Sequence, residues 1–312
     1  MNLKAKVTRH PRLPPGAEPA PFIVGAARSG TTLLRLMLDS HPLMAIPPET
    51  HFLTEVFSGA GESPDEPERV LGALTSHARW ADFGIAEKAL ERRLRDSAPL
   101  TQGAAIRAFY ELYAERHGKP RWGDKTPTYV FTMREIEDLL PEARFIHVVR
   151  DGRDVVVSLR RVWFGPKDID EIAEWWASRV VAARRQGEQL HCYMELRYED
   201  LVQEPAAVLE HVCEFLELDW DPAMLRYPER AADRLREEAH ELRWDGDRRI
   251  GADERLGIHD AVREPPSTER IGRWRSILSE EERVRFERIA GPVLRRLGYE
   301  TAKPSPARAT RA

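Results

Sequence analysis

The chain has 312 residues, with 48 basic against 52 acidic side chains and a formal net charge of −4. It is long enough for one large α/β domain, and it lacks the global basic field that grips nucleic acid or an anionic membrane. Two cysteines in a chain of this size exclude a disulfide-stapled miniprotein. Any anion site must be local, and with 41 Arg to 7 Lys among the cations each lysine is worth locating.

Taken in chain order, residues 1–20 are Pro-rich and polar and read as a flexible arm. They contain no apolar core of a signal peptide, and nowhere is there a run of roughly 18 apolar residues able to span a bilayer. The expectation is a cytoplasmic protein with no membrane and no nucleic-acid partner. Strands are predicted at 21–26, near 121–123, at 144–149 and at 192–198, where apolar runs end in turn signals. Helical spacing follows at 31–40, 131–140, 153–164, 171–189, 205–217 and 279–297. Pro205 suits a first helical turn, and Ser279 with Glu282 forms a capping-box pattern. Residues 55–118 read as a helical insertion. Residues 226–264, charged at about half their positions, read as a solvated excursion or as a flap over an active site. Cys192 and Cys213 sit in apolar stretches and read as small core residues. Residues 301–312 form a polar, disordered tail. Strand alternating with helix predicts one α/β domain over 21–300, a three-layer fold with a parallel sheet and helices on both faces.

The strongest local signal is Gly25-Ala26-Ala27-Arg28-Ser29-Gly30-Thr31-Thr32, between the strand and the helix pattern LLRLMLDS. Glycines let the backbone curl so that successive N–H groups point inward, and the helix N-terminus adds partial positive charge, together a phosphate cradle. The spacing matches GxxxxGK[ST], but Thr31 stands where a nucleoside-triphosphate loop has lysine. A kinase working on Mg-ATP is thereby demoted; it remains an alternative, as does a nucleotide-binding module without turnover. Further on, the strand RFIHVV ends in Arg150, which can fork onto a phosphate, with the hydroxyl of Ser158 eight residues later.

Arg28-Ser29-Gly30-Thr31-Thr32 resembles the [KR]-S-G-T-T loop of the sulfotransferases that use 3′-phosphoadenosine 5′-phosphosulfate, and RSGTTLLRLMLDSHP looks most like their tyrosylprotein branch and its bacterial relatives. The resemblance implies the P-loop nucleoside-triphosphate-hydrolase-like sulfotransferase fold. It also implies transfer of a sulfuryl group to the hydroxyl of a small-molecule, peptide or glycan acceptor, with 3′,5′-ADP as product and no metal. Under it Ser29, Gly30, Thr31 and Thr32 hold the donor with Arg28, while Arg150 and Ser158 hold the 3′-phosphate. Tyr198, in Arg197-Tyr198-Glu199-Asp200-Leu201, lies near the adenine or is a core aromatic. Gly272 and Arg273, in Arg270-Ile271-Gly272-Arg273-Trp274, close over the 3′-phosphate.

Glu49, in Pro47-Pro48-Glu49-Thr50-His51, falls where the tyrosylprotein branch has its catalytic base; His51 is the competitor, since imidazole titrates near pH 6.5. Small-aryl sulfotransferases place a histidine after a Lys-Thr pair, and here Lys125-Thr126 is followed by Pro127. Lys125 itself, with Arg28, is implied to neutralise the transferring and leaving groups. His147 reads as a core residue. The branch's further donor-binding arginine is Val162 here, with Arg160 and Arg161 the nearest replacements.

Overall fold

In this computed structural model, residues 4–7, 17–53, 67–97, 100–244 and 248–301 are described; the expected tail beyond 301 and most of the expected arm lie outside them. The strands are β1 (Lys4–Val7), β2 (Ala20–Gly25), β3 (Met44–Ala45), β4 (Arg121–Trp122), β5 (Asp124–Lys125), β6 (Ala143–Val149), β7 (Cys192–Arg197), β8 (Leu242–Trp244) and β9 (Arg248–Ile250). The main sheet has the order β1-β7-β6-β2-β5, with β7, β6, β2 and β5 parallel and β1 antiparallel at the edge. Lys4–Val7, read from sequence as loose arm, is therefore an edge strand: it satisfies the ladder hydrogen bonds that β7 would otherwise leave open.

Side chains alternate along each central strand and both faces are covered, so every residue of β2 and β6 is buried. Phe22, Val24 and Phe145 face one core, which also packs the helices Glu87–Asp96 and Gln102–Arg116 and an aromatic cluster of Phe52, Phe83, Phe109 and Tyr110. Ile23, Ile146 and Val148 face the other, under the helices Thr31–Asp39 and Pro205–Phe215. The helices Gly152–Leu159, Ile169–Gly187 and Glu280–Arg296 close a third cluster. This is the α/β, parallel, helix-covered architecture expected, including the Ser279/Glu282 capping box, Pro205 in the first turn and two free, buried cysteines.

Two expected boundaries move. The strand near 121–123 is two, since β4 pairs with β3 and β5 with β2, and a Cβ on the intervening Gly123 would lie 2.6 Å from the Pro21 ring. The helix expected to 164 stops at Leu159, where the Lys167 ammonium caps open carbonyls, donating to Leu159 O at 2.9 Å and Phe164 O at 3.1 Å.

The charged segment 226–264 is no solvated excursion. Its helix Pro228–Leu235 places Arg234 on Asp39 at 2.6 Å, while Glu237 and Glu238 lie 3.5 Å from the fully buried Arg35 of the helix after the phosphate loop. Arg255 pairs with buried Asp82. These ion pairs fasten the segment across the carboxyl ends of the strands. Among the described residues no helix is long and apolar enough to cross a membrane.

A close contact under the sheet makes a stability prediction. A Cβ on Gly152 would fall 2.5 Å from the Trp176 ring and 2.7 Å from Phe286. Gly152→Ala should therefore overpack this core and cost about 1–3 kcal/mol, read as a lower urea midpoint with unchanged m.

Candidate active site

The chain leaves β2 toward neighbours on opposite sides, β5 and β6, so the carboxyl end of β2 is a switch point where a crevice opens. The phosphate loop fills it. Gly25 has φ 151° and a Cβ there would sit 2.5 Å from Val148 O; Gly30 has φ 101° and its Cβ would meet the Tyr198 ring at 2.5 Å. Only glycine allows this backbone and this approach. Arg28 itself adopts φ 71°. The turn is closed by Ser29 N donating to Ala26 O at 3.1 Å and opens directly into Thr31–Asp39.

Arg28 and Arg150 form the heart of one cavity of about 270 Å³. Arg28 Nε donates to Ser158 Oγ at 3.0 Å and its Nη2 to Ile258 O at 3.0 Å. Arg150 Nη1 donates to Arg28 O at 3.1 Å, its Nη2 to Arg270 O at 2.8 Å, and its guanidinium stands 4.3 Å from the Tyr198 ring centre. Neither arginine has a carboxylate within ion-pair distance among the described residues. Burial and then the charge of Arg150 push the Arg28 guanidinium down to about 10, with Glu49 opposing. Two crowded cations without an ion pair, at the N-terminus of the helix that follows the glycine loop, suit an anion. Two orphaned atoms fit the same reading, because Ser29 Oγ and Arg150 Nε are buried with no hydrogen-bond partner.

The structure thus brings together Arg28, Gly30, Thr31, Thr32, Arg150, Ser158 and Tyr198 around one cavity, with Ser29 buried in the same loop. Three expectations need correction. Gly272 and Arg273 do not line the cavity. Gly272 N and Trp274 N are instead held by Asp154 at 2.7 and 3.0 Å, and the cation of that loop lining the cavity is Arg270. Val162 is buried in an apolar cluster, and no replacement comes from its neighbours: Arg160 is paired with Glu282 at 2.7 Å and Arg161 is exposed. Sequence spacing missed Arg270 because the turn Thr268–Arg270, not the following glycine, reaches the cavity.

A second cavity, of about 290 Å³, shares Arg28, Thr31 and Thr32 with the first. Glu49 lies here, half-buried, its Oε1 accepting from Lys125 Nζ at 2.7 Å and its Oε2 2.9 Å from His51 Nε2. Lys125 is fully buried. The backbone between them is pinned by Thr50, whose N–H donates to Thr126 Oγ1 at 3.0 Å and whose hydroxyl donates to Asp124 at 2.8 Å. Burial would raise the Glu49 carboxyl. Lys125 first, then the hydrogen bond and charge of His51, and then Arg79 at 4.0 Å hold it well below the usual carboxylate range. Trp163, Phe164, Trp175 and Trp244 supply an aromatic wall. Spacing could not place these, since they come from three separate elements. His147 stays a core residue: its Nδ1 is 2.7 Å from the Tyr193 hydroxyl, and burial pushes its imidazole down to about 4.

A profile of the sulfotransferase family matches residues 19–222, and the chain belongs to that family. It is similar to protein-tyrosine sulfotransferase A of Caenorhabditis elegans, 28% identical over 294 residues that cover 89% of this chain and 67% of the relative. It is also 28% identical over 222 residues to protein-tyrosine sulfotransferase 1 of Danio rerio, covering 68% and 56%. Among solved structures, the sulfotransferase domain from the curacin biosynthetic pathway aligns with a TM-score of 0.59 at 22% identity, over 92% of this chain and 99% of that one. The sulfotransferase domain of the Synechococcus PCC 7002 olefin synthase aligns with a TM-score of 0.52 at 25% identity, over 95% and 100%.

The Glu49–Lys125 pair has a consequence for stability. A depressed carboxyl stabilises the fold fully above its ordinary value of 4.5, and that contribution is lost as pH falls through the folded value. Lys125→Met removes the main cation, so the stability of wild type relative to the variant should shrink between about pH 7 and about pH 3 in urea titrations; a difference flat with pH would contradict the pairing.

Proposed function

We propose that this sulfotransferase moves the sulfuryl group of 3′-phosphoadenosine 5′-phosphosulfate to an acceptor hydroxyl. The observation that carries the reading is the junction at Arg28 of two cavities, one built on the phosphate loop and Arg150, the other on Glu49 and an aromatic wall. One side gathers Arg28, Arg150 and Arg270 with Tyr198 beside them, and neither Arg28 nor Arg150 makes an ion pair there among the described residues although Asp260, Glu264 and Glu269 also line it; the other holds Glu49 and an aromatic wall of Trp163, Trp175 and Trp244. The donor's anionic groups belong on the first side, with Ser29–Thr32 and Ser158 as hydrogen-bonding partners, Arg150 and Arg270 on the 3′-phosphate, and Tyr198 toward the base. The acceptor belongs on the second.

In the reaction the acceptor oxygen attacks sulfur, the bond from sulfur to the bridging oxygen breaks, and the departing phosphate oxygen keeps the electron pair. Glu49 takes the hydroxyl proton. Lys125 and Arg28 meet the developing charge on the leaving oxygen, where fixed, buried cations act most strongly. The ion pair couples these roles. An anionic bridge oxygen competes with Glu49 for the Lys125 ammonium, and a carboxylate that loses its cation rises toward the range of a useful base.

The aromatic wall and the names of the relatives favour a phenolic acceptor. A tyrosyl peptide and small phenols are therefore the first to try against glycan and aliphatic alcohols. Thr31 in place of the P-loop lysine disfavours the kinase alternative.

Glu49→Gln should lower transfer from the labelled donor by about 100-fold or more while leaving 3′,5′-ADP binding intact; undiminished turnover would shift the role to His51. Arg150→Ala should weaken 3′,5′-ADP by about 1.5–3 kcal/mol in calorimetry. Tight ATP binding with indifference to 3′,5′-ADP would overturn the reading.

A further inference from the structure

The segment 226–264 puts a histidine at the crossing between the two cavities. Five residues line both of them, namely Arg28, Thr31, Thr32, Ile258 and His259. A group passing from donor to acceptor crosses between these side chains. Of the five, His259 alone can take a proton near neutral pH, because a guanidinium stays charged and threonine hydroxyls are far too weak as bases.

His259 is buried at 5% exposure. Its Nε2 lies 3.4 Å from Glu238 Oε2, and its Nδ1 makes no hydrogen bond among the described residues. Glu238 is itself buried and surrounded by cations, with Arg35 at 3.5 Å and Arg255 at 3.9 Å. Burial would raise that carboxyl, but His259, then Lys125 and Arg35, hold it well below the usual carboxylate range. An ionised acceptor opposite Nε2 selects the tautomer with the proton on Nε2 and leaves the lone pair on Nδ1. The charged groups facing the imidazole are Glu238, Lys125 on β5 and Arg28 on the phosphate loop. Burial lowers the imidazole first, Glu238 opposes, and Lys125 and Arg28 lower it further. The ring is neutral at physiological pH and can accept a proton, and Glu238 stabilises the imidazolium that forms.

We propose that His259, oriented by Glu238, is a second proton acceptor at the transfer point, beside Glu49. This rests on the sulfuryl-transfer reading above. In the step it serves, the acceptor oxygen bonds to sulfur and its proton passes to His259 Nδ1. The bond from sulfur to the bridging oxygen breaks, and that oxygen leaves with the electron pair. His259 is favoured for the task when Glu49 is paired with Lys125, since a carboxylate held by an ammonium is a weak base. Neither Glu238 nor His259 stood out in the sequence: they are 21 residues apart in a charged segment that reads as a solvated excursion or a flap, with no single residue marked.

The test measures kcat, KM and the pH profile of donor-dependent transfer in wild type, Glu49→Gln, His259→Gln, Glu238→Gln and the Glu49→Gln/His259→Gln double variant, with 3′,5′-ADP affinity as the control on folding. Glutamine is close to histidine in size and cannot take the proton. His259→Gln should lower kcat about tenfold with donor KM and 3′,5′-ADP affinity within about twofold. Glu49→Gln should keep a residual rate that falls as pH drops through the imidazole titration, and the double variant should lose it. In Glu238→Gln the inflection of His259 should move to lower pH, because the carboxylate that raises it is gone. Equal rates and profiles for Glu49→Gln and the double variant would overturn the proposal. Absence of any donor-dependent transfer by wild type would instead overturn the reading beneath it.

Discussion

Two guanidinium groups that make no ion pair among the described residues, Arg28 and Arg150, are the constraint on which the site depends. Arg150 hydrogen-bonds the carbonyls of Arg28 and Arg270, and Arg28 hydrogen-bonds Ser158 and the carbonyl of Ile258. Four segments far apart in the chain are thus tied by donors that spend their hydrogen bonds on neutral partners. Burial first and then the charge of Arg150 push the Arg28 guanidinium down, and Glu49 offsets only part of this. Such a cluster is unfavourable until an anion arrives, and that cost is what makes the pocket an anion site rather than a salt-bridge network.

The sheet makes the cluster possible. β2 and β6 are buried on both faces, so their register is strongly specified and their carboxyl ends deliver the phosphate loop and Arg150 side by side. The opposite chemistry arrives from β5, where Lys125 is fully buried with Glu49 against its ammonium. The charged segment 226–264 then closes both cavities from outside. Its ion pairs to Arg35 and Asp39 run to the helix that begins at the phosphate loop, so the floor and the roof of the site are braced on one element.

Much of this was legible one residue type at a time. The glycines at 25 and 30, the strand-end arginine at 150 and the lysine at 125 each carry a local reason for their place; Gly30 and Arg150 line the first cavity, Gly25 shapes the loop beneath it, and Lys125 reaches the second through its bond to Glu49. Gly272 and Arg273 show the limit of that reading: a loop's sequence pattern does not say which of its residues faces inward, and Asp154 takes the backbone while Arg270 reaches the cavity. Arg160 shows it again, since its nearness in sequence to Val162 counts for nothing once Glu282 holds it.

By itself the sequence determined the alternation of strand and helix, the covered parallel sheet, and the phosphate-binding character of one loop, because periodicity, capping and glycine geometry act over a few residues. Tertiary structure alone decided which charges are neutralised. Among the described residues Arg28 and Arg150 are left without an ion pair, Glu49 is locked to Lys125, and Glu238 is turned against His259 in a segment whose composition reads as a solvated excursion or a flap. Ionic state and proton affinity depend on burial and on neighbours distant in the chain, and those distances come into existence only when the chain folds.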